Sequence, residues 1–291
     1  MSTLTTRFGV LASAAALVLS VAACSAAEEP APAPVEEPAP AEEAVEVLPT
    51  ITEGKLTIAT GEPAYFPYVI DDAPESGEGF EAALAYALAE ELGFAKEDVV
   101  WVRTTFEAAI QPGPKDFDFN LQQYTITEER AANVDFSLPY YSTPQAVIAK
   151  VDGPAGSATS IAELKDLLVG AATGTTSFQV IEEQIAPTGG ALAFNDNDAA
   201  KLALETGQID ALVVDLPTAF YLVGVELTDA KIVGQLPATD AVSDQWGLVL
   251  EKDSPLTEAV NAALQSLIDS GKLAEITAKY LGADQGAPVL N

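Results

Sequence analysis

The side chains in this chain that are able to do chemistry are mainly carboxylates. There are 44 Asp and Glu residues against 13 Lys and Arg residues in 291 positions, and histidine is absent. Without an imidazole, the sequence has no Ser-His-Asp triad, Cys-His pair or His-ligated zinc site, and we expect no metal and no cofactor. The net charge of −31 repels phosphate backbones, which argues against nucleic acid as a partner.

The one cysteine, Cys24, ends an uncharged run of Ala, Leu and Val that follows Arg7. This run is short for a bilayer-spanning helix, which needs ~20 apolar residues, so residues 1–24 are predicted to be a secretory signal rather than a retained membrane helix. The string Val21-Ala-Ala-Cys24 resembles a bacterial lipobox, in which cleavage before the cysteine exposes its sulfur as the nucleophile for lipidation. A buried structural cysteine is the weaker interpretation, and a single cysteine forms no internal disulfide.

Residues 25–50 consist almost entirely of Ala, Pro, Glu and Val. Such a composition buries too little apolar surface to fold, so we predict a disordered tether. Its glutamates would be repelled by anionic lipid head groups, which favours holding the following domain away from a membrane, although solubilising filler fits equally well.

From residue 51 onward, strand and helix patterns alternate, and 48% of the chain is hydrophobic, which is ample for a packed core. Apolar residues recur at helical spacing from Phe80 to Leu92, and Ser254, Pro255 and Gly271 mark the start and end of a late helix. Alternating elements imply an α/β fold with mainly parallel, helix-covered sheets, and the length favours two lobes. Strands are predicted at 55–60, 98–103, 117–121, 167–172, 191–194 and 209–214.

An ordered set of motifs across this region resembles the polar amino-acid-binding proteins of ABC importers, bacterial extracellular solute-binding proteins of family 3. Each string alone is a weak signal, but together they run from about Lys55 to Leu281. The motifs are KLTIAT from 55, EPAYFPY from 62, GFE from 79, TITEER from 125, VDFSLPYY from 134, GTTS from 174 and GQIDALVVD from 207.

The resemblance implies a two-lobed, type II periplasmic-binding-protein-like clamshell whose chain crosses between the lobes twice. Short crossings allow two rigid lobes to close on a ligand while a few backbone angles absorb the motion. The crossings are expected near 142–145 and 241–245, with lobe 1 formed by 51–144 and 243–291 and lobe 2 by 145–242.

The resemblance also implies how an α-amino acid would be held. Its carboxylate needs charge-assisted donors, and Arg130 stands where the family has its carboxylate-binding arginine. Its ammonium group needs a carboxylate, and Asp215 occupies the family's position for that partner. Two alternatives remain open, namely a solvated Arg130 at a helix start and an Asp215 that caps the following helix.

Further candidate ligand-binding residues follow from the same motifs. Thr125, Thr175 and Thr176 would supplement Arg130 near a helix N-terminus. Tyr65 and Phe106 match aromatic positions, although aromatic residues at strand ends are more often core. The positions that would set selectivity are Glu62, Glu81, Gln122 and Gln123. The alternative for either glutamate is a solvated position on the surface, and one of the glutamines could point outward instead.

We therefore expect a substrate-binding lipoprotein rather than an enzyme. It would be monomeric, anchored through Cys24 to the outer face of the cytoplasmic membrane, and would deliver an amino acid to the permease subunits of an ABC importer. The matched positions offer no second cation beside Arg130, so a cationic or neutral polar amino acid is favoured over Asp or Glu. The alternatives are a cyclic-acid dehydratase on the same fold and a surface adhesin with a degenerate cleft.

Overall fold

The computed structural model describes residues 47–237, 244–282 and 286–291, and Val47–Asn291 form one compact unit. The predicted signal sequence, Cys24 and nearly all of the tether lie outside the described residues, as does most of the predicted return crossing. In the described ranges, no helix combines the length and the apolar character needed to span a bilayer.

Strands and helices alternate along the chain as the hydrophobic pattern predicts. The strands are β1 Leu56–Gly61, β2 Val99–Thr104, β3 Phe119–Asn120, β4 Val134–Phe136, β5 Tyr141–Thr143, β6 Gln145–Lys150, β7 Val169–Ala172, β8 Leu192–Phe194, β9 Ala211–Asp215, β10 Ala230–Gln235, β11 Asp244–Trp246 and β12 Val249–Glu251. The α-helices are α1 Phe80–Glu91, α2 Phe106–Ile110, α3 Glu128–Ala131, α4 Thr176–Val180, α5 Asn197–Glu205, α6 Leu216–Tyr221, α7 Thr257–Asp269 and α8 Lys272–Tyr280.

Two five-stranded sheets organise the two lobes. The first has the order β2-β1-β3-β12-β4 and the second β10-β6-β9-β7-β8. Each is mainly parallel, as predicted, but each contains one reversed strand. In the first sheet β12 runs antiparallel to β3 and β4, and in the second β6 runs antiparallel to β9 and β10. Both reversed strands directly follow the short strands that join the lobes, so the reversal results from the chain entering the sheet from the crossing.

The two crossing strands pair with each other. β5 and β11 form a two-stranded antiparallel ribbon in which Trp246 lies opposite Tyr141. Trp246 is fully buried, and its ring packs against the rings of Tyr68, Tyr140 and Tyr141. The ribbon is therefore anchored in an aromatic cluster at the base of the first lobe.

The core of the first lobe lies between its sheet and helices α1, α7 and α8. Ile58 of β1, Leu84 of α1 and Leu264 of α7 belong to one buried cluster. In the second lobe, alternate residues of a strand serve two different cores: Ile148 faces one cluster and Val147 the other. This period-2 division is what a strand buried on both faces requires.

Helix α7 is α-helical from Thr257, two residues later than predicted. Ser254 still closes the turn before it, because its hydroxyl accepts a hydrogen bond from Leu256 N and its carbonyl accepts one from Thr257 N. Helices α4 and α6 each continue into a π-helical turn, at Ile181–Ile185 and Leu222–Glu226. Gly271 ends α7 with a left-handed φ of 79°, as predicted.

The C-terminal segment 286–291 lies on the second lobe, whereas the sequence-based division assigned it to the first. Val289 bridges to Gln235 of β10, and Leu290 is buried in a core cluster of the second lobe. The Asn291 carbonyl accepts a hydrogen bond from Ile161 N. The buried leucine and three backbone hydrogen bonds to Gln235 and Ile161 hold this segment on the second lobe. The remaining lobe boundaries stay a prediction.

Candidate functional site

A cavity of about 350 Å³ lies between the lobes, within the size range of small-molecule sites. Each lobe contributes half of the lining residues. The first lobe supplies Glu62, Pro63, Tyr65, Thr105, Phe106, Glu107, Gln122, Gln123, Thr125 and Arg130, and the second supplies Ala172, Thr173, Thr175, Thr176, Ser177, Asn195, Asp196, Asn197, Val214 and Asp215. We call this cavity the cleft.

The strands explain why these residues meet. Glu62 follows the last residue of β1, Thr105 follows β2, and Asp215 is the last residue of β9. In α/β sheets the carboxyl ends of parallel strands form a crevice where ligands bind. Both sheets therefore direct the ends of their parallel strands into the cleft.

Arg130 is buried, with 5% of its surface exposed, so the solvated alternative does not hold. Its Nη1 donates to the Thr125 carbonyl at 2.7 Å, and its Nη2 donates across the cleft to the Gly174 carbonyl at 2.8 Å. The guanidinium also lies over the Phe106 ring, 5.3 Å from its centroid. Burial lowers the pKa of Arg130. Within the described ranges, none of the ion pairs includes this side chain.

Asp215 lines the opposite wall of the cleft. Its carboxylate accepts a hydrogen bond from Gln145 Nε2 at 2.6 Å and makes no capping bond to helix α6, so the capping alternative does not hold. Burial, together with the nearby charge of Asp244, raises the pKa of Asp215 to about 8. Asp215 is therefore a cleft carboxylate with an unusually high proton affinity.

The three threonines all line the cleft but differ in their contacts. The hydroxyls of Thr125 and Thr176 lie 3.2 Å apart and connect the lobes. The Thr175 hydroxyl caps α4 by accepting from Phe178 N and donates to the Ala172 carbonyl. Thr175 therefore serves mainly to start the helix whose N-terminus faces the cleft.

Two aromatic rings also line the cleft. Phe106 stacks on Tyr124, with the ring centroids 4.6 Å apart, and so forms a platform beneath Arg130. Tyr65 faces helix α5, and burial with the charges of Asp198 and Asp196 raises the pKa of its hydroxyl. Both rings thus face the space between the lobes.

Glu62, Gln122 and Gln123 line the cleft as well, although the side-chain amide of Gln123 donates to Glu81, which is not among the lining residues. The Gln122 side-chain carbonyl accepts a hydrogen bond from the Tyr124 hydroxyl at 2.9 Å. Gln123 has a left-handed backbone with φ of 52°, which turns the chain just before Thr125.

Glu81 is absent from the cleft lining and occupies the layer behind it, contrary to the expectation that it faces the ligand. Only 1% of its surface is exposed. Its carboxylate accepts hydrogen bonds from Gln123 N at 2.8 Å, from Gln123 Nε2 and from the Tyr140 hydroxyl. Burial raises the pKa of Glu81 to about 7. Because α1 starts beneath the first sheet, Glu81 holds Gln123 from behind.

Several lining residues were missed from the sequence. Asn195, Asp196 and Asn197 follow β8, and Glu107 lies in the first turn of α2. A polar run immediately after a predicted strand was the signal that would have identified the first three, because strand ends form the crevice. Within the described residues, no cluster of metal-binding side chains occurs here or elsewhere.

Comparison with known proteins agrees with this architecture. A family model described as bacterial extracellular solute-binding proteins, family 3, matches residues 56–283. The L-arginine-binding protein of Pseudomonas aeruginosa is 30% identical over 253 residues, covering 81% of this chain and 92% of that protein. The ABC transporter glutamine-binding protein GlnH of Bacillus subtilis is 31% identical over 217 residues, covering 72% of this chain and 76% of that protein.

A solved structure of an ancestral arginine-binding protein bound to glutamine is 30% identical, with a TM-score of 0.66, and the match covers 80% of this chain and 100% of that one. This similarity confirms the predicted two-lobed clamshell. The chain belongs to the bacterial extracellular solute-binding proteins of family 3.

Proposed function

We propose that this protein is the extracytoplasmic substrate-binding component of an ABC importer and that it binds a polar α-amino acid in the cleft. Membership of a family of extracellular solute-binding proteins supports this function. The names of the arginine-binding and glutamine-binding relatives support an amino acid as the ligand.

The observation that carries the proposal is the buried charge of Arg130. A buried guanidinium is normally paired with an anion, because taking an unpaired charge out of water is costly. Arg130 donates one hydrogen bond to each of two backbone carbonyls, and no ion pair within the described ranges includes it. Its remaining N–H groups suit a ligand carboxylate, and the N-terminus of α4 adds a favourable dipole.

Asp215 supplies the complementary charge from the opposite lobe. An α-amino acid has a carboxylate and an ammonium on neighbouring atoms, so a site for it needs a cation and an anion facing each other. Arg130 lies in α3 of the first lobe, and Asp215 is the last residue of β9 in the second lobe. A ligand that binds both groups connects the lobes, and its binding energy shifts the population toward the closed form.

The charges that line the cleft favour a cationic or neutral side chain on the ligand. Glu62, Glu107, Asp196 and Asp215 are lining carboxylates, and Arg130 is the single basic lining residue within the described ranges. A ligand with a second carboxylate would meet no second cation there, whereas an arginine or lysine side chain would be attracted. We therefore propose a cationic or neutral polar amino acid as the substrate.

We also propose that the mature protein is a monomer tethered by a lipid on Cys24. The lipobox-like string before Cys24 and the Pro-rich segment after it support this arrangement. Fractionation of cells that express the full chain provides the test: the wild type should partition with membranes and into detergent, and Cys24→Ser should be soluble. Equal partitioning of both proteins would contradict the anchor.

Calorimetric titration of the protein with each of the twenty amino acids tests the ligand. We expect Arg130→Ala to weaken the tightest interaction by about 100-fold or more, because it removes charge-assisted hydrogen bonds. Lys150→Ala is the matched control, since it removes one positive charge at the end of β6, outside the cleft lining, and should leave the affinity nearly unchanged. Tight glutamate binding without any response to arginine, lysine or glutamine would refute the proposed selectivity. Recovery of chemically altered ligand would indicate an enzyme.

A further inference from the structure

A half-buried carboxylate of the cleft, Asp215, and a buried carboxylate of the lobe crossing, Asp244, share one amide group. Gln145 Nε2 donates to Asp215 Oδ1 at 2.6 Å and to Asp244 Oδ2 at 2.8 Å. Gln145 and Asp244 are 3% and 7% exposed. Asp244 begins β11, one of the two strands that join the lobes, so the carboxylate of the cleft is connected to the crossing through a single side chain.

The side-chain NH2 group of Gln145 has no hydrogen left to donate to a third acceptor. An amide NH2 has two hydrogens, and each is directed at one of the two carboxylates. The Gln145 carbonyl accepts from the Ser177 hydroxyl at 2.6 Å, which fixes the orientation of the amide. Two acceptors on the same NH2 group lie within about 5 Å of each other, a separation at which two like charges oppose ionisation.

The groups around this pair add more negative than positive charge. Among the described residues, Asp215 faces Asp244 of β11 and Glu81 of α1, and Arg130 of α3 is the cation beside it. The Tyr68 hydroxyl, which pairs with Thr218, is a further titratable neighbour. Arg130 is itself hydrogen-bonded to two carbonyls and cannot pair with both carboxylates.

We propose that the ligand-free cleft holds a proton on the Asp215–Gln145–Asp244 cluster and that the ammonium group of the incoming amino acid replaces this proton. The inference rests on the proposed function, in which Asp215 receives the ammonium. Charge and atoms balance: one positive group enters the site, and one proton leaves a carboxyl group for solvent. Gln145 and Asp244 are positioning residues, because they act on the ligand through Asp215.

This proposal makes ligand binding depend on pH in a definite direction. The pKa of Asp215 is raised to about 8 in the ligand-free protein. The bound ammonium favours the ionised form, so the affinity rises with pH until the ligand-free carboxyl is itself ionised. With that pKa, the affinity should increase about tenfold between pH 6 and pH 7, and about 0.9 proton should be released per ligand at pH 7.

Calorimetric titration of the full-length protein with L-arginine, in phosphate and in Tris, measures the proton release directly, because the two buffers differ in ionisation enthalpy. L-glutamine is the second probe, since its side chain does not titrate. The measurements should span about pH 6 to about pH 7, where the ligand's own amino group stays mostly protonated. Wild-type protein should release close to one proton at pH 7 with either probe.

Asp244→Asn tests the cluster without removing a hydrogen-bond acceptor for Gln145. We expect it to lower the proton release at pH 7 below the wild-type value and to weaken the pH dependence of the affinity, because the like charge of Asp244 is gone while the burial of Asp215 remains. Glu81→Gln is the matched control: it removes the other acidic neighbour, and it should leave most of the proton release intact.

The outcomes separate this inference from the proposed function. Tight binding with no proton release in wild-type protein would overturn the inference and leave the proposed function standing. Loss of the release in Glu81→Gln, with the release intact in Asp244→Asn, would place the proton on Glu81 and would also overturn it. Failure of all twenty amino acids to bind would overturn both. If Asp244→Asn does not fold, the wild-type proton count and pH profile still decide the question.

Discussion

At the scale of single residues, the cleft and the layer behind it hold acidic side chains away from water, where their charged form is unfavourable. Asp215 is half-buried and Glu81 is buried, both have raised pKa values, and Arg130 is a buried cation. For an acid, a raised pKa means that the folded protein keeps a proton that the unfolded chain has lost. The contribution of such a group to stability is fully present at low pH and is lost as the pH rises through the folded-state pKa.

Asp215→Asn should therefore stabilise the ligand-free protein at high pH while it weakens ligand binding. Asparagine stays neutral, so the excess of its melting temperature over that of the wild type should grow from about pH 4, near the ordinary pKa of ~3.9, to about pH 8, where the folded wild type is ionised as well. Scanning calorimetry across this range measures the difference. Asp152→Asn, on the exposed loop after β6, is the control and should show no such trend. A constant offset at every pH would contradict the expectation.

Sequence patterns identified ten of the twenty residues that line the cleft, but they could not separate residues that line the cleft from those that support it. Asp215 and Glu81 both follow family motifs, and only the packing of α1 beneath the first sheet shows that Glu81 faces Gln123 and Tyr140. Gln145 and Asp244 carried no motif. Their role depends on a contact between positions 99 residues apart in the chain, which no local pattern encodes.

At the scale of elements, the backbone at the start of α1 leaves no room for a side chain at Gly79. Gly79 precedes the helix with φ of 111°, and a Cβ atom there would lie 2.3 Å from the Tyr68 carbonyl oxygen. The next turn contains Glu81, which holds Gln123 against the cleft. The geometry of this cleft wall therefore depends on a position that only glycine can occupy.

Gly79→Ala should destabilise the protein by about 3 kcal/mol or more, because it adds a clash with backbone to a left-handed conformation. For a domain of this size, the melting temperature would fall by about 6–12 °C. Gly93→Ala is the matched control: it also has a positive φ, of 85°, but its Cβ would meet nothing within 4 Å. It should cost about 1–2 kcal/mol. Equal losses in the two variants would contradict the argument from steric contact.

The order and type of the elements were predictable, and the reversed strands were not. Hydrophobic alternation in β6 and helical spacing in α1 depend on nearby residues and are visible in the sequence. The direction of β6 and β12 within their sheets depends on where the chain re-enters after a crossing, which is a global property. The π-helical turns that continue α4 and α6 carried no signal in the sequence, and the start of α7 differs by two residues from the one predicted.

At the scale of the whole molecule, the net charge of −31 means that carboxylates greatly outnumber the cations that could pair with them. Seven of the eight ion pairs among the described residues include at least one exposed side chain, and such pairs contribute little each. Self-repulsion among the excess carboxylates therefore outweighs these pairs and destabilises the compact state.

Salt should stabilise the protein for this reason. The melting temperature should rise by several degrees between about 10 mM and about 0.5 M NaCl, over which the screening length falls from about 30 Å to less than 8 Å. KCl at equal ionic strength is the control and should give the same rise, because screening does not distinguish the two cations. A flat or falling curve would show that self-repulsion does not limit the stability.

The aromatic cluster at the lobe crossing contains a tryptophan whose intrinsic fluorescence can report on movement of the lobes. Trp246 is fully buried in the ribbon that connects the lobes, and the chain's one other indole, Trp101, lies on β2 with its N–H donated to the Tyr86 hydroxyl. A Trp101→Phe variant would emit fluorescence from the crossing alone. A change in its intensity or wavelength on adding L-arginine would follow the movement of the lobes in real time, without an attached dye.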